Sequence, residues 1–122
     1  MTIERVIKER GRKLFLVRNT WNGNGMFALC QGAIYRLYDD HGDLWMTIAV
    51  RRTPGHGIVA TDMDSGMLIT AAIGRNSYDD AVREVVRQQE FIDKARAKEF
   101  YEDAVKLCQE EYAELRERGV LK

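Results

Sequence analysis

The spacing of apolar residues changes near residue 75, and this change divides the chain into two parts. Before it, β-branched and aromatic residues occur in short runs that are separated by turns containing glycine, a pattern typical of antiparallel strands. In 44–52, for example, apolar side chains recur at every second position. We predict six or seven strands within residues 1–75, at 3–8, 13–18, 26–30, 33–38, 44–52, 58–63 and 67–73.

Residues 76–122 have the pattern of helices. Ser77 and Asp80 are spaced as in a helix N-terminal cap, and neither glycine nor proline occurs again before Gly119. Two apolar stripes follow one another on different faces, and the charged segment 93–98 separates them. The first stripe is Tyr78, Val82, Val85 and Ile92; the second is Ala97, Tyr101, Ala104, Cys108, Tyr112 and Leu115.

The length of this helical segment leaves two arrangements open. About 40 residues in one helix would span ~60 Å, whereas a domain of this size is only ~35 Å across. Either the segment folds back as a helical pair, or its second stripe packs on another subunit. We favour the second arrangement because the segment offers no turn residue. The predicted fold class is therefore α+β, with an antiparallel β domain (1–75) and a long helical segment (76–122) that packs on the sheet and on a partner subunit in a homodimer or larger oligomer.

Length, composition and charge narrow the function classes. The chain has 122 residues, 45% of them apolar and 31% charged, with 19 basic and 19 acidic side chains. It lacks an apolar run of the ~20 residues that a bilayer requires and shows no secretory signal pattern, so we expect a cytoplasmic protein without membrane contact. The zero net charge hides an asymmetry, since residues 1–75 sum to +3 and residues 76–122 to −3.

Few residues suggest catalysis or metal binding. The two histidines, His41 and His56, lie in turns that contain glycine, and neither is next to an obvious nucleophile. The cluster 39–43 has no calcium-loop or zinc-site spacing, and Cys30 and Cys108 are most simply buried thiols. We therefore expect a protein that is not an enzyme, with no cofactor and no metal.

Two segments have the composition of a ligand-binding site. In 51–57, Arg51 and Arg52 precede a turn rich in glycine, a combination that can bind phosphate oxygens, although a solvent-exposed hairpin loop has the same composition. In 18–27, Trp21 and Asn22 lie among glycines and asparagines next to Arg18. Trp21 could stack on a purine ring while Arg18 contacts phosphate, or it could anchor the loop to the core.

The second segment also carries a family resemblance. The string Arg18-x-x-Trp21-Asn22-Gly23-x-Gly25-Met26-Phe27 resembles the N-terminal motif of the phage anti-Thoeris sponges, small β-rich proteins that sequester signals of the cyclic ADP-ribose type. Thr61-Asp62-Met63 resembles part of that family's second motif, although Asp64-Ser65-Gly66-Met67 replaces the acidic–tryptophan pair that should follow. The resemblance implies that Trp21 and Asn22 contact the ligand and that Asp62 is a ribose or supporting partner.

The leading hypothesis is a non-catalytic protein, encoded by a phage or mobile element, that sequesters a nucleotide-like immune signal. Its ligand-binding residues would be Arg18, Trp21, Asn22, Arg51, Arg52 and Asp62. One alternative is an inhibitor that binds a host defence protein complex directly through its acidic helical part. A second alternative is a nucleic-acid-binding protein that uses the basic N-terminal strands, with Phe15, Trp21 and Trp45 as stacking surfaces.

Overall fold

The computed structural model describes residues 1–18, 27–69 and 73–121, and within them an antiparallel sheet is followed by helices. The described strands lie in sequence order, each antiparallel to the next. They are β1 (Ile3–Arg18), β2 (Phe27–Asp39), β3 (Leu44–Thr53) and β4 (Gly57–Asp62), and the helices are α1 (Tyr78–Arg87), α2 (Gln89–Arg96) and α3 (Glu99–Glu117). The α+β class, with the sheet first, is confirmed.

The strand count was wrong, because the described residues form four strands rather than six or seven. The segments 3–8 and 13–18 are not a hairpin but one strand, and both pair with β2. Between Lys8 and Arg12, three β1 residues lie opposite one β2 residue, so the intervening residues form a bulge. Gly11 has φ +74°, which suits this bulge and does not reverse the chain.

The segments 26–30 and 33–38 also merge, into β2. Gly32, which we expected to interrupt the strand, lies within it and faces β3. A Cβ atom at Gly32 would lie 2.5 Å from the Val50 carbonyl oxygen, so glycine here permits a close approach of two strands.

The described residues of the last predicted strand, 67–73, pair with the edge of β4 only at single positions. Met67 accepts a backbone hydrogen bond from Asp62, and Ile69 donates one to the Ala60 carbonyl, both at 2.9 Å. Farther along, Arg75 and Ile58 exchange two backbone bonds of 3.1 Å. The described part of this segment therefore forms isolated bridges to β4 and is not a strand.

The preference for a helical segment without a break was also wrong, because the described part of 76–122 forms three helices. The Ser77 hydroxyl caps α1 as predicted, accepting from the Asp80 amide at 3.0 Å. The break before α3 is at Lys98, whose backbone is extended at φ −74° and ψ 146°. None of the described helices is long and apolar enough to cross a membrane.

Hydrogen bonds from residues on either side of the break explain why α2 ends there, although the segment contains no glycine or proline. Arg96 donates to the Trp45 carbonyl at 2.8 Å and to the Tyr101 hydroxyl at 3.2 Å. The Tyr101 hydroxyl in turn donates to the Asp62 carboxylate. These bonds fix α2 and α3 separately against β3 and β4, and such tertiary contacts override helix propensity.

The two apolar stripes pack on different parts of the same chain. Val82, Val85 and Ile92 of the first stripe are buried against the sheet, in a cluster with Ile48 and Val50. The second stripe supplies Cys108, Tyr112 and Leu115, which pack around Leu16 of β1. The Tyr112 hydroxyl also accepts a hydrogen bond from the Leu16 amide at 2.8 Å. Contact of the helical segment with a partner subunit stays a prediction.

Candidate functional site

A cavity of about 360 Å³ lies where the last residues of β1, the first residues of β2 and the β3–β4 turn come together. Its walls are mainly apolar, and five polar or ionisable side chains line it. The apolar residues are Val17, Ala28, Val59, Leu68 and Ile73; the others are Arg18, Cys30, Arg51, Thr53 and His56.

Strand alternation explains why these side chains meet. Arg51 and Thr53 are two residues apart on β3 and therefore face the same side of the sheet. Val59 is the cross-strand partner of Arg51, and Ala28 is the partner of Val17, so both pairs contribute to the same wall. The pairing register of the strands thus forms the cavity, because it brings the ends of three strands together.

Arg18 is held firmly at the edge of this cavity. Its amide donates to the Gly66 carbonyl at 2.7 Å, and its guanidinium Nη2 donates to the Ala104 carbonyl at 3.0 Å. The guanidinium carbon lies 4.9 Å from the centre of the Phe27 ring, within cation–π range. Because Arg18 follows Val17 on β1 and its guanidinium contacts α3, as Leu16 does, this guanidinium lies on the face of the sheet opposite Val17.

Arg51 brings its guanidinium to the cavity and has fewer internal contacts than Arg18. Its side chain is half-buried, and the Nε atoms of both Arg51 and Arg18 are buried without a hydrogen-bond partner among the described residues. A buried donor without an acceptor is costly, and an anionic ligand would satisfy it.

The charge of the lining is positive. It contains two arginines and one histidine and, among the described residues, no aspartate or glutamate. Arginine beside apolar walls is suited to a ligand that has both a phosphate or carboxylate and a flat apolar part.

The structure does not bring Arg52 to this cavity. Arg52 is exposed, and its cross-strand partner is Ile58, whose side chain belongs to the core on the helix-covered face. Adjacent strand residues point to opposite faces, which separates Arg52 from Arg51.

Asp62 is also elsewhere, in a network of hydrogen bonds beside α2 and α3. Its buried carboxylate accepts from the Ser65 hydroxyl at 2.8 Å, from the Asp64 amide at 3.1 Å and from the Tyr101 hydroxyl. Burial, with the hydrogen bond to Asp62, raises the pKa of Tyr101 well above its usual value. Since these bonds occupy the Asp62 carboxylate, its visible role is to join β4 to the helices.

This network lines a second cavity, of about 240 Å³, whose walls are mostly apolar. Its guanidinium belongs to Arg96, which already donates to Trp45 and Tyr101 and lies 3.6 Å from the Asp64 carboxylate. Its polar groups are therefore largely satisfied within the protein, unlike those of the first cavity.

Two predicted site residues, Trp21 and Asn22, lie outside the described residues. In the sequence they belong to the segment that joins Arg18 to Phe27. Two of the three stacking surfaces proposed for nucleic acid are in the protein interior, since Phe15 is fully buried and Trp45 is 9% exposed.

Sequence reasoning missed Cys30 and Thr53 as cavity residues and treated His56 only as a candidate base. The signal for Thr53 was its spacing of two from Arg51. Cys30 carried no local signal, because its place depends on the register between β1 and β2.

The acidic turn 39–43 has an evident structural role. The Asp39 carboxylate accepts from the amides of His41 and Asp43 at 2.8 and 3.0 Å, which closes the turn between β2 and β3. Across the described ranges, no three histidine, cysteine or acidic side chains are grouped as metal ligands.

Comparisons of the chain with protein-family models, with curated proteins and with solved structures found no match.

Proposed function

We propose that the protein binds a small, anionic, nucleotide-like ligand in the cavity lined by Arg18 and Arg51, and that it sequesters this ligand without converting it. The observation that carries the proposal is the Arg51 guanidinium in a mainly apolar cavity, with a buried Nε atom that lacks a partner among the described residues. An anion with an apolar part matches both features.

The size of the cavity supports a ligand of this class. Its volume of about 360 Å³ is at the lower end of the ~300–1,000 Å³ range of small-molecule sites. This space suits a nucleotide-sized molecule better than a polymer, with the apolar walls contacting a base and Arg51 contacting phosphate.

The family resemblance makes the proposal more specific. It implies a signal of the cyclic ADP-ribose type, with Trp21 and Asn22 contributing to its recognition. We propose that sequestration of such a signal inhibits a host defence system. Arg52, Asp62 and the Arg18 guanidinium face away from the cavity, so the proposed charged contact in the described residues is that of Arg51.

Native mass spectrometry of the purified protein, before and after addition of nucleotides, tests this proposal. The panel is AMP, ADP, ADP-ribose and cyclic ADP-ribose, and each bound species is released by denaturation and weighed again. We expect at least one nucleotide to form a stoichiometric adduct and to be released with unchanged mass, because the protein binds it without turnover.

Two outcomes would contradict the proposal. A protein that takes up no member of the panel would lack the proposed specificity, and direct binding to a defence protein complex would then be the stronger hypothesis. Release of a ligand with altered mass would show catalysis instead of sequestration.

A further inference from the structure

The second cavity, of about 240 Å³, lies beside the break between α2 and α3 and reaches the main core. Its inner wall includes Met46, Ile69 and Ile92, three members of the core cluster that are almost fully buried. On the α2 side the lining includes Ala95, whose side chain is a single methyl group. The cavity therefore joins the hydrophobic core to the surface of the protein.

Large apolar side chains surround the opening of this cavity. Phe91 of α2 is 59% exposed, Phe100 of α3 is 53% exposed, and Leu68 is 41% exposed. Single exposed apolar residues are common on proteins, but a group of them around one opening marks a binding site. The apolar lining thus continues from the buried inner wall to the exposed rim.

The four polar side chains in the lining already have hydrogen-bond partners in the protein. The Asp62 carboxylate accepts from the hydroxyls of Ser65 and Tyr101. The Ser65 hydroxyl also accepts from the Met67 amide at 3.1 Å, and Arg96 donates to the Tyr101 hydroxyl at 3.2 Å. These side chains therefore do not depend on a ligand for their hydrogen bonds.

The charges in the described lining balance. Asp62 supplies one negative charge and Arg96 one positive charge, and the Tyr101 hydroxyl connects the two. Asp62 would repel an anion and Arg96 would repel a cation. A charged ligand would also lose its hydration against the apolar walls without gaining a free partner. The lining therefore favours a neutral ligand.

The volume limits the ligand to a small molecule. An apolar space of ~150 Å³ accepts one benzene molecule and otherwise stays dry, whereas sites for drug-sized ligands begin at ~300 Å³. At about 240 Å³, the second cavity has room for one aromatic ring with a short alkyl group.

We propose that the second cavity is a binding site for a small, neutral, apolar molecule of this size. The ring or alkyl group contacts the core side chains, and Phe91 and Phe100 cover it at the opening. The proposal does not rest on the anion site. Among the described residues, the two cavities share Leu68 alone.

Amide NMR titrations of the isotope-labelled chain with toluene, benzoate and benzylamine test this site. The three probes share one aromatic ring and are neutral, anionic and cationic at neutral pH. We expect toluene to cause saturable shifts at the amides of lining residues, with the β2–β3 turn, 39–43, unchanged. Benzoate and benzylamine should bind at least about tenfold more weakly, because burying a charge without a partner is costly.

Ala95→Leu fills part of the cavity, and Ala113→Leu is the matched control. Ala95 lines the cavity, whereas Ala113 is exposed on α3 and is outside the lining. Leucine is a good helix former at both positions. Ala95→Leu should weaken toluene binding by at least about tenfold, because the larger side chain occupies the space of the ligand. Ala113→Leu should bind toluene as the wild-type chain does, and circular dichroism checks that both variants are folded.

Each of three results would overturn the proposal. Toluene shifts that do not saturate, or that leave the lining amides unchanged, would show that the cavity is not a binding site. Equal affinities for the three probes would contradict the selection of a neutral ligand. Undiminished toluene binding by folded Ala95→Leu would place the ligand elsewhere. The first two results come from the wild-type chain, so they decide the question even if Ala95→Leu does not fold.

Discussion

Arg18 and Arg51 reach the same cavity under different constraints. Arg18 is fixed by Gly66, Ala104 and the Phe27 ring, so its charge has one position. Arg51 depends on the alternation of β3 and has a buried Nε atom without a partner among the described residues. The Arg18 guanidinium therefore joins β1 to α3, and the Arg51 guanidinium is the one available to a ligand in the cavity.

Sequence reasoning identified this pair of arginines because guanidinium groups near turns are suited to phosphate. It could not separate Arg51 from Arg52, since that choice depends on which face of β3 is covered by helices. It also included Asp62, whose carboxylate accepts from Ser65 in the following turn and from Tyr101, a residue distant in the sequence.

The two cysteines should react with a thiol reagent at different rates. Cys30 is half-buried and lines the cavity, whereas Cys108 is fully buried. Burial also raises the pKa of Cys108 to about 12, so this thiol has little reactive thiolate near neutral pH. We expect a maleimide reagent to modify Cys30 much faster than Cys108, and a bound nucleotide to slow the labelling of Cys30.

The two cysteines make this test internally controlled, and peptide mass spectrometry gives each rate separately. Equal Cys30 labelling rates with and without a nucleotide that is known to bind would place the ligand elsewhere. Rapid labelling of Cys108 would contradict the packing of α3 on β1.

At the scale of elements, local pattern predicted the kind of structure better than its boundaries. Alternation identified β3 almost to the residue, and the Ser77 cap identified the start of α1. The breaks that we expected at Gly11 and Gly32 became a bulge and a close strand contact. Glycine permits both outcomes, and only the partner strand decides between them.

The sequence pattern alone could not predict the helix break at Lys98. No glycine or proline marks it, and it depends on bonds from Arg96 and Tyr101 to distant residues. Contacts between elements therefore determine where α2 ends and how α3 reaches β1.

The Tyr112 hydroxyl is a buried polar connection between α3 and β1, beside the bond from Arg18 to Ala104, and removing it gives a prediction for this element. In Tyr112→Phe the Leu16 amide loses its acceptor in a buried site. We expect the free energy of unfolding to fall by about 1–3 kcal/mol, the cost of leaving a buried donor unpaired. Urea denaturation measures the change, and Tyr38→Phe, at a half-buried position, is the control.

High pH adds a second measurement on the same variant. Burial raises the pKa of Tyr112 to about 12, above its ordinary value of 10.0. The neutral phenol therefore stabilises the folded state fully below pH 10, and this contribution is lost as the pH rises to 12. The stability of the wild-type chain should fall more steeply over that interval than that of Tyr112→Phe. Parallel curves would contradict the burial of this hydroxyl.

Across the whole molecule, basic and acidic residues are distributed unevenly around a net charge of zero. The sheet part carries +3 and the helical part −3, and the cavity lies on the positive part. An anionic ligand would therefore be attracted to the sheet end, with an attraction that weakens as salt increases. A small ligand with a few charges fits this distribution better than a polyanion that needs a uniformly basic surface.

The most direct test of the central claim is calorimetric titration of the wild-type chain, Arg51→Gln and Arg52→Gln with the nucleotide that forms an adduct. The two variants remove the same charge at neighbouring positions, one inside the cavity and one outside it. Loss of a charge-assisted hydrogen bond costs about 1.5–3 kcal/mol, so Arg51→Gln should weaken binding by at least about tenfold. Arg52→Gln should bind as the wild-type chain does. Equal affinities for all three proteins, or a loss confined to Arg52→Gln, would contradict the assignment of the ligand to this cavity.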